Sequence, residues 1–251
     1  MAITSIYIDS VLPNVAGMKT LDDFNVINWF LGMPAVDATP VGGFYLGALA
    51  TDLAYNSFNP ENPGVINGVL SNAPGYVTVN NTNNLNTNVK AGVTTTICGV
   101  MQREAANSLN VHAVADFSGL GSTAYGFSIG FASSGYQLFM AGQNSGQSAA
   151  NYAYASLPET LAVGSMFAFA ASITNNALTV SVYDEATDTV STGTGSLSGT
   201  RVAGDKNIII GAKQDNNSNN TAKHVKSTII LDGLLTTEQR KNVLKYLLNM
   251  A

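Results

Sequence analysis

Hydrolysis of a glycosidic bond takes two carboxyl groups placed on either side of it. The acidic residues of this chain are poorly spaced for that task. The densest group is Asp184-Glu185-Ala186-Thr187-Asp188, which follows an alternating apolar run at a place where a hairpin turn is expected. Glu104, Asp116 and Glu159 stand alone in the sequence. Cys98, the single cysteine, lies within the apolar run Val93 to Met101 and reads as a small buried residue. A reactive thiol would need a neighbouring histidine and an electropositive setting. The two histidines are remote in sequence: His112 alternates outward from an apolar face and His224 sits in a polar tract, so both read as plain polar residues. No catalytic residue is assigned, and the chain is expected not to be an enzyme.

Binding chemistry is better represented. Asp205, Asp215 and Asp232 fall near predicted strand ends, and Asn216, Asn217, Asn219 and Asn220 add amide oxygens. Calcium is the cation such hard oxygen ligands take, although no EF-hand spacing is present. Turn and cap roles are the plainer alternative, and no other cofactor is expected. Sugar recognition draws on aromatic platforms and amide hydrogen bonds. Tyr136, Tyr152 and Tyr154, with Asn216, Asn217 and Asn219, are the candidates for it, and Gln143-Asn144 lies near them in sequence. The bland reading is that the tyrosines half-bury against a sheet. Trp29, Phe30, Phe44 and Tyr45 are a candidate docking set, either for the chain's own sheet or for a neighbouring subunit.

Elements with two periodicities must position these residues. In the first 75 residues, Thr20 and Asp23 form a near capping box, and Leu21, Phe24, Ile27 and Leu31 recur at helical spacing. A helix is therefore expected near 20–31, ended by Gly32 and Pro34. A Pro-, Gly- and Asn-rich passage follows, too apolar to be a free linker, so residues 1–75 read as a mostly irregular arm. From Tyr76 onward the rhythm is that of strands. Tyr76 to Asn80, Val93 to Met101, Val111 to Phe117, Ala124 to Phe131, Tyr136 to Ala141, Met166 to Thr174, Ala177 to Asp184, Thr187 to Thr192, Asn207 to Ala212 and Ser227 to Leu231 are the predicted strands. Asn80 to Asn88 and Gln214 to Lys223 read as polar loops. A terminal helix is predicted from about Thr237 to Asn249. Thr236 and Gln239 form its capping box, and Leu235, Val243, Leu244, Leu247 and Leu248 form its apolar face.

Composition narrows the setting. Only 11% of the 251 residues are charged, against about a quarter in ordinary soluble domains. The surface is therefore built of Asn, Ser, Thr, Gly and Ala, which suits a protein packed against neighbours. A net charge of -5 with 11 basic residues leaves no electrostatic footprint for nucleic acid or anionic membranes. No apolar run is long enough to span a bilayer, and the N-terminus lacks the basic and apolar regions of a secretory signal.

The order of the last elements resembles the concanavalin A-like lectin/glucanase jelly roll in its laminin-G-like form. Phe167 to Thr174 and Ala177 to Asp184 match its paired strands, Ile208 to Gly211 matches its strand ending in Ile-Gly, and Leu231-Asp-Gly-Leu-Leu-Thr-Thr-Glu-Gln239 matches its strand, glycine turn and helix start. The match covers residues from about 90 to 251. It implies a mainly β, antiparallel sandwich over 76–251 closed by the C-terminal helix. The glucanases of that superfamily carry E-x-D-x-x-E on one strand, a spacing absent here. Its members include lectins, hydrolases, adhesion modules and phage tail or capsid proteins. With the low charge, the missing signal and the N-terminal arm, the resemblance implies a bacteriophage virion component, either capsid decoration or tail. Its partners would be other virion proteins or symmetry mates. The alternative is a module that binds a host-surface glycan, with a glycan hydrolase as the remote third.

Overall fold

The computed structural model describes residues 29–214 and 220–250. Among these, fourteen strands and one α-helix follow in order: β1 (Thr39–Tyr45), β2 (Val65–Asn67), β3 (Val77–Val79), β4 (Asn84–Lys90), β5 (Thr95–Gln102), β6 (Val111–Ala115), β7 (Gly126–Phe131), β8 (Gln137–Gln143), β9 (Asn151–Ser156), β10 (Met166–Ile173), β11 (Ala177–Asp184), β12 (Thr189–Ser196), β13 (Asn207–Ile210), β14 (Lys223–Asp232) and α1 (Thr237–Leu248). They form two seven-stranded antiparallel sheets. Sheet one runs β1-β14-β5-β10-β11-β12, with β3 also paired to β14, and sheet two runs β2-β4-β13-β6-β7-β8-β9.

The inner faces meet in one core that includes Phe44, Leu85, Met101, Phe127, Phe131, Phe167 and Phe169. A second apolar layer lies on the outer face of sheet one. There Cys98, Val100, Ala168 and Ala170 are small enough to seat Val243, Leu244 and Leu247 of α1, which are fully buried. This double burial explains why β5 and β10 read as continuous apolar runs rather than alternating ones. The helix starts as predicted: Gln239 N–H donates to Thr236 Oγ1 (3.1 Å), and Thr236 N–H donates to Gln239 Oε1 (3.1 Å).

Several expectations need correction. The boundary at 75 cuts through the sandwich, because β1 pairs with β14 in sheet one and β2 pairs with β4 in sheet two. Residues 46–64 between them are ordered by side-chain amides acting as substitute backbone. The buried Asn56 accepts from the N–H groups of Gly43, Phe58 and Asn59 and donates to Asn62 O. The polar loop expected over Asn80 to Asn88 is confined to its first part, where Asn80 Oδ1 accepts from Thr82 and Asn83 N–H. The remainder is β4. Leu85, Thr87 and Val89 bury, while Asn86 and Asn88 remain half-exposed. That alternation, fixed by neighbours on both sides, overrides the low strand preference of asparagine. Lys223 and His224, expected in a loop, begin β14.

Of the docking set, Trp29, Phe44 and Tyr45 are buried within the chain itself. Trp29 Nε1–H donates to Ser57 Oγ (2.7 Å), its ring lies 6.0 Å from that of Tyr45, and Tyr246 Oη–H donates to Trp29 O. Phe30 packs on Phe58 at 5.2 Å. Trp29 and Tyr45 cover the chain's own sheet one and Phe44 lies between the sheets, so as placed these three are not available to a partner, whereas Phe30 is half-buried. Trp29 to Gly32 form a turn, and the rest of the helix predicted near 20–31 lies outside the described residues. No helix among the described residues is long and apolar enough to cross a membrane.

Candidate functional site

The outer face of sheet two carries the exposed aromatics. In β9, Ala153 and Ala155 point into the core, so Tyr152 and Tyr154 stand on the opposite face. Their rings are nearly parallel, 5.8 Å apart with 13° between planes, and each is about two-fifths exposed (40% and 42%). Both rest on Phe139 of β8, at 5.9 and 6.5 Å; Phe139 is itself fully buried. His112 of β6 closes the other side of Phe139 edge-on at 5.4 Å, and its Nδ1 lies 2.6 Å from Ser128 Oγ. Burial, then the positive charges of Lys213 and Lys223, push the His112 pKa down to about 3. The imidazole is therefore neutral at ordinary pH and serves as a packed support. Burial, then Tyr154, raises the Tyr152 pKa, so that phenol keeps its proton; a tyrosine hydroxyl can donate to a ligand hydroxyl.

The structure brings together two of the three tyrosines. Tyr136 lies at the far end of the same hairpin, beside the pairing of Gln137 with Ser156; it is 66% exposed, with the Arg103 guanidinium 5.0 Å over its ring. Asn216, Asn217 and Asn219 lie outside the described residues. Of the metal candidates, Asp215 is likewise outside them. Asp205 accepts the Tyr125 hydroxyl with both oxygens (2.9 and 3.1 Å), and Asp232 is exposed at the end of β14. Asp205 and Asp232 line different cavities. Among the described residues no three His, Cys, Asp or Glu side chains gather as a metal site.

The acidic stretch at 184–188 is the hairpin turn between β11 and β12. Its Asp188 takes the amines of Lys241 (2.9 Å) and Lys245 (3.4 Å) of α1 as well as the Tyr183 hydroxyl (2.8 Å). His224 and Glu104, neither assigned a role from sequence, form a pair. The backbone N–H and Nδ1 of His224 lie 3.1 and 2.9 Å from Glu104 Oε1. Next to them Lys223 is buried, donates to Gly211 O (2.8 Å), and has its pKa lowered to about 8 by desolvation.

Sequence reasoning missed a second concavity, at the strand ends where Gly126 pairs with Gln143. It measures about 340 Å³ and is lined by Tyr125, Gln143, Asn144, Ser145 and the segment Thr200 to Asp205. Beneath it lies Asp116, 2% exposed, whose Oδ1 accepts from Phe127 N–H at 2.6 Å. Its parts come from three separated loops, so no local motif announces it.

Against solved structures the chain finds a shared β-sandwich fold. Domain 4 of AbnA, a GH43 extracellular arabinanase from Geobacillus stearothermophilus solved in complex with arabinotriose, aligns at TM-score 0.51 and 15% identity, over 82% of this chain and 98% of that one. The botulinum neurotoxin serotype D binding domain aligns at 0.54 and 10% identity, over 85% and 52%. The enzymatically active domain of bacteriophage CBA120 tailspike protein 2 aligns at 0.50 and 14% identity, over 87% and 32%. This chain thus spans about half of the neurotoxin domain and a third of the tailspike chain. No protein-family model and no curated protein matches the sequence. Likeness at such identities concerns the fold alone: a sandwich of two antiparallel β-sheets.

Proposed function

We propose that this chain is a non-enzymatic glycan-binding module. The observation that carries the reading is the parallel pair Tyr152 and Tyr154, held exposed on a buried Phe139 by the alternation of β9. Such a pair offers apolar ring surface and two phenol donors with little ordering cost, because both rings are already fixed. A sugar's C–H face and hydroxyls match that mixture. The arabinotriose complex of the AbnA domain, on the same fold, is consistent with this use. The test is a glycan array followed by titration of the strongest hit. The double variant Tyr152→Ala/Tyr154→Ala should stay folded and lose about tenfold or more in affinity, on the scale of about 1–2 kcal/mol for truncated interface aromatics. A folded double variant that binds its hit unchanged would remove the platform from consideration.

The setting we propose is a bacteriophage particle, on which the sandwich would face outward and bind the host surface. The low charge, the Asn- and Gly-rich surface and the tailspike domain's likeness in fold support it. Mass spectrometry of purified particles should then find the chain as a stoichiometric component, and particles lacking it would refute the setting while leaving the glycan reading intact.

A further inference from the structure

The concavity beside Gly126 and Gln143 has the attributes of a binding pocket in its own right. Its volume, about 340 Å³, sits at the small end of the ~300–1,000 Å³ typical of ligand sites and suits one sugar ring. Its polar groups are held in place by bonds to the protein. The Gln143 amide nitrogen donates to Gly121 O (2.6 Å) and Gln147 O (2.7 Å), which turns its carbonyl oxygen into the remaining acceptor. The Asn144 nitrogen donates to Ser198 O (2.8 Å), with the same consequence. Arg201 is 5% exposed; its Nε donates to Val93 O (3.1 Å) and its Nη2 to Gly92 O (3.2 Å), while Nη1 is bonded to none of the described residues. The hydroxyls of Ser145 and Thr200 make no hydrogen bond among the described residues, and Asp205 accepts the Tyr125 hydroxyl.

We infer that this pocket is a second sugar site, distinct from the tyrosine platform, that takes a neutral monosaccharide unit through its vicinal hydroxyls. The inventory is dominated by acceptors: two fixed amide oxygens and the Asp205 carboxylate. These suit hydroxyl donors, whereas Arg201 Nη1 and the two free hydroxyls suit sugar oxygens. Charge decides between neutral and acidic sugars. Arg201 is the one cation lining the pocket, and Asp205 on the wall and Asp116 beneath the floor outnumber it. A uronate or sialate would meet repulsion. The same guanidinium opposes a bound calcium ion.

The site stands on its own geometry, and its test separates it from the platform. Backbone amide shifts of the full chain are followed by NMR while glucose, galactose, mannose or N-acetylglucosamine is added, with galacturonate as the acidic probe. At least one neutral sugar should move the amides of residues 126, 143–145 and 200–205. It should bind about tenfold or more tightly than galacturonate. Ala203→Trp, which fills the exposed rim, should abolish those shifts, and Tyr152→Ala/Tyr154→Ala should leave them in place. Shifts confined to the region of Tyr152 and Tyr154, no shifts with any neutral sugar, or galacturonate binding as tightly as the best neutral sugar would each overturn the inference. The first of these outcomes would still leave the platform standing.

Discussion

Asp116 is the residue whose environment departs furthest from what its place in the sequence suggests. It ends the alternating run after β6, is almost wholly buried, and has no cation within ion-pair distance among the described residues. Burial drives its pKa up to about 6, against the partial help of the Phe127 N–H and the more distant Arg201. A carboxyl with a raised folded-state pKa holds its proton more tightly in the native state than in the unfolded chain. Its contribution is therefore greatest at low pH and is lost as pH rises from about 4 to about 6, a swing of about 3 kcal/mol. Asp116→Asn keeps an oxygen for Phe127 N–H and removes the titration. Urea unfolding at several pH values should show the variant gaining on the wild type across that window and holding the gain above it. A constant difference would mean that the carboxyl is not desolvated as the structure places it. Cys98 is the contrasting case: burial pushes its thiol up to about 12, in keeping with the inert core role its apolar run implies.

At the scale of elements, β12 shows how one residue type sets a junction between sheets. Its side chains are mostly exposed, and its glycines lie against β9 of the other sheet. A Cβ at Gly193 would fall well inside contact distance of Tyr154 O, and one at Gly195 would collide with Tyr152 O. The two sheets therefore close along this edge only because both positions lack a side chain. Gly193→Val should part β12 from β9 and cost about 1–3 kcal/mol, the usual range for overpacking, seen as a lower urea midpoint. It should also disturb Tyr154, so glycan binding should weaken together with stability. Unchanged stability would show that the two strands are not in contact. The helix α1 was more legible. Its capping box, its apolar face and the basic residues that meet Asp188 all follow from spacing within one segment. β4 was less so, because its asparagines look like loop until flanking strands supply the pairing.

For the molecule as a whole, the part that looked like an arm is structural. β1 covers the edge of β14, and Trp29 and Tyr45 join α1 over the outer face of sheet one. Removing residues 1–45 should uncover that edge and that apolar layer. An unpaired strand beside exposed core favours association. The expected result is an aggregating protein, or one that binds a hydrophobic dye and melts at lower temperature. A truncated chain as stable and monomeric as the full one would mean that β1 is dispensable to the sandwich.

The sequence by itself determined most strands from Tyr76 onward (β4 and β9 excepted), the hairpin turns, the buried cysteine and the capped terminal helix, because each is written in residues close together along the chain. It also named Tyr152 and Tyr154 as candidates by residue type, while the strand β9 that sets them on one face came from the structure. Only the tertiary structure decided that β1 and β2 belong to the sheets, that Trp29, Phe44 and Tyr45 are buried within the chain, and that Asp205 and Asp232 lie apart. It alone gathered Asp116, Gln143, Asn144 and Arg201 at one end of the sandwich. Those outcomes depend on pairings and packing between residues up to two hundred positions apart, as between β1 and β14. Strand order across a sheet is set by which faces fit together, and no periodicity within a single strand encodes it.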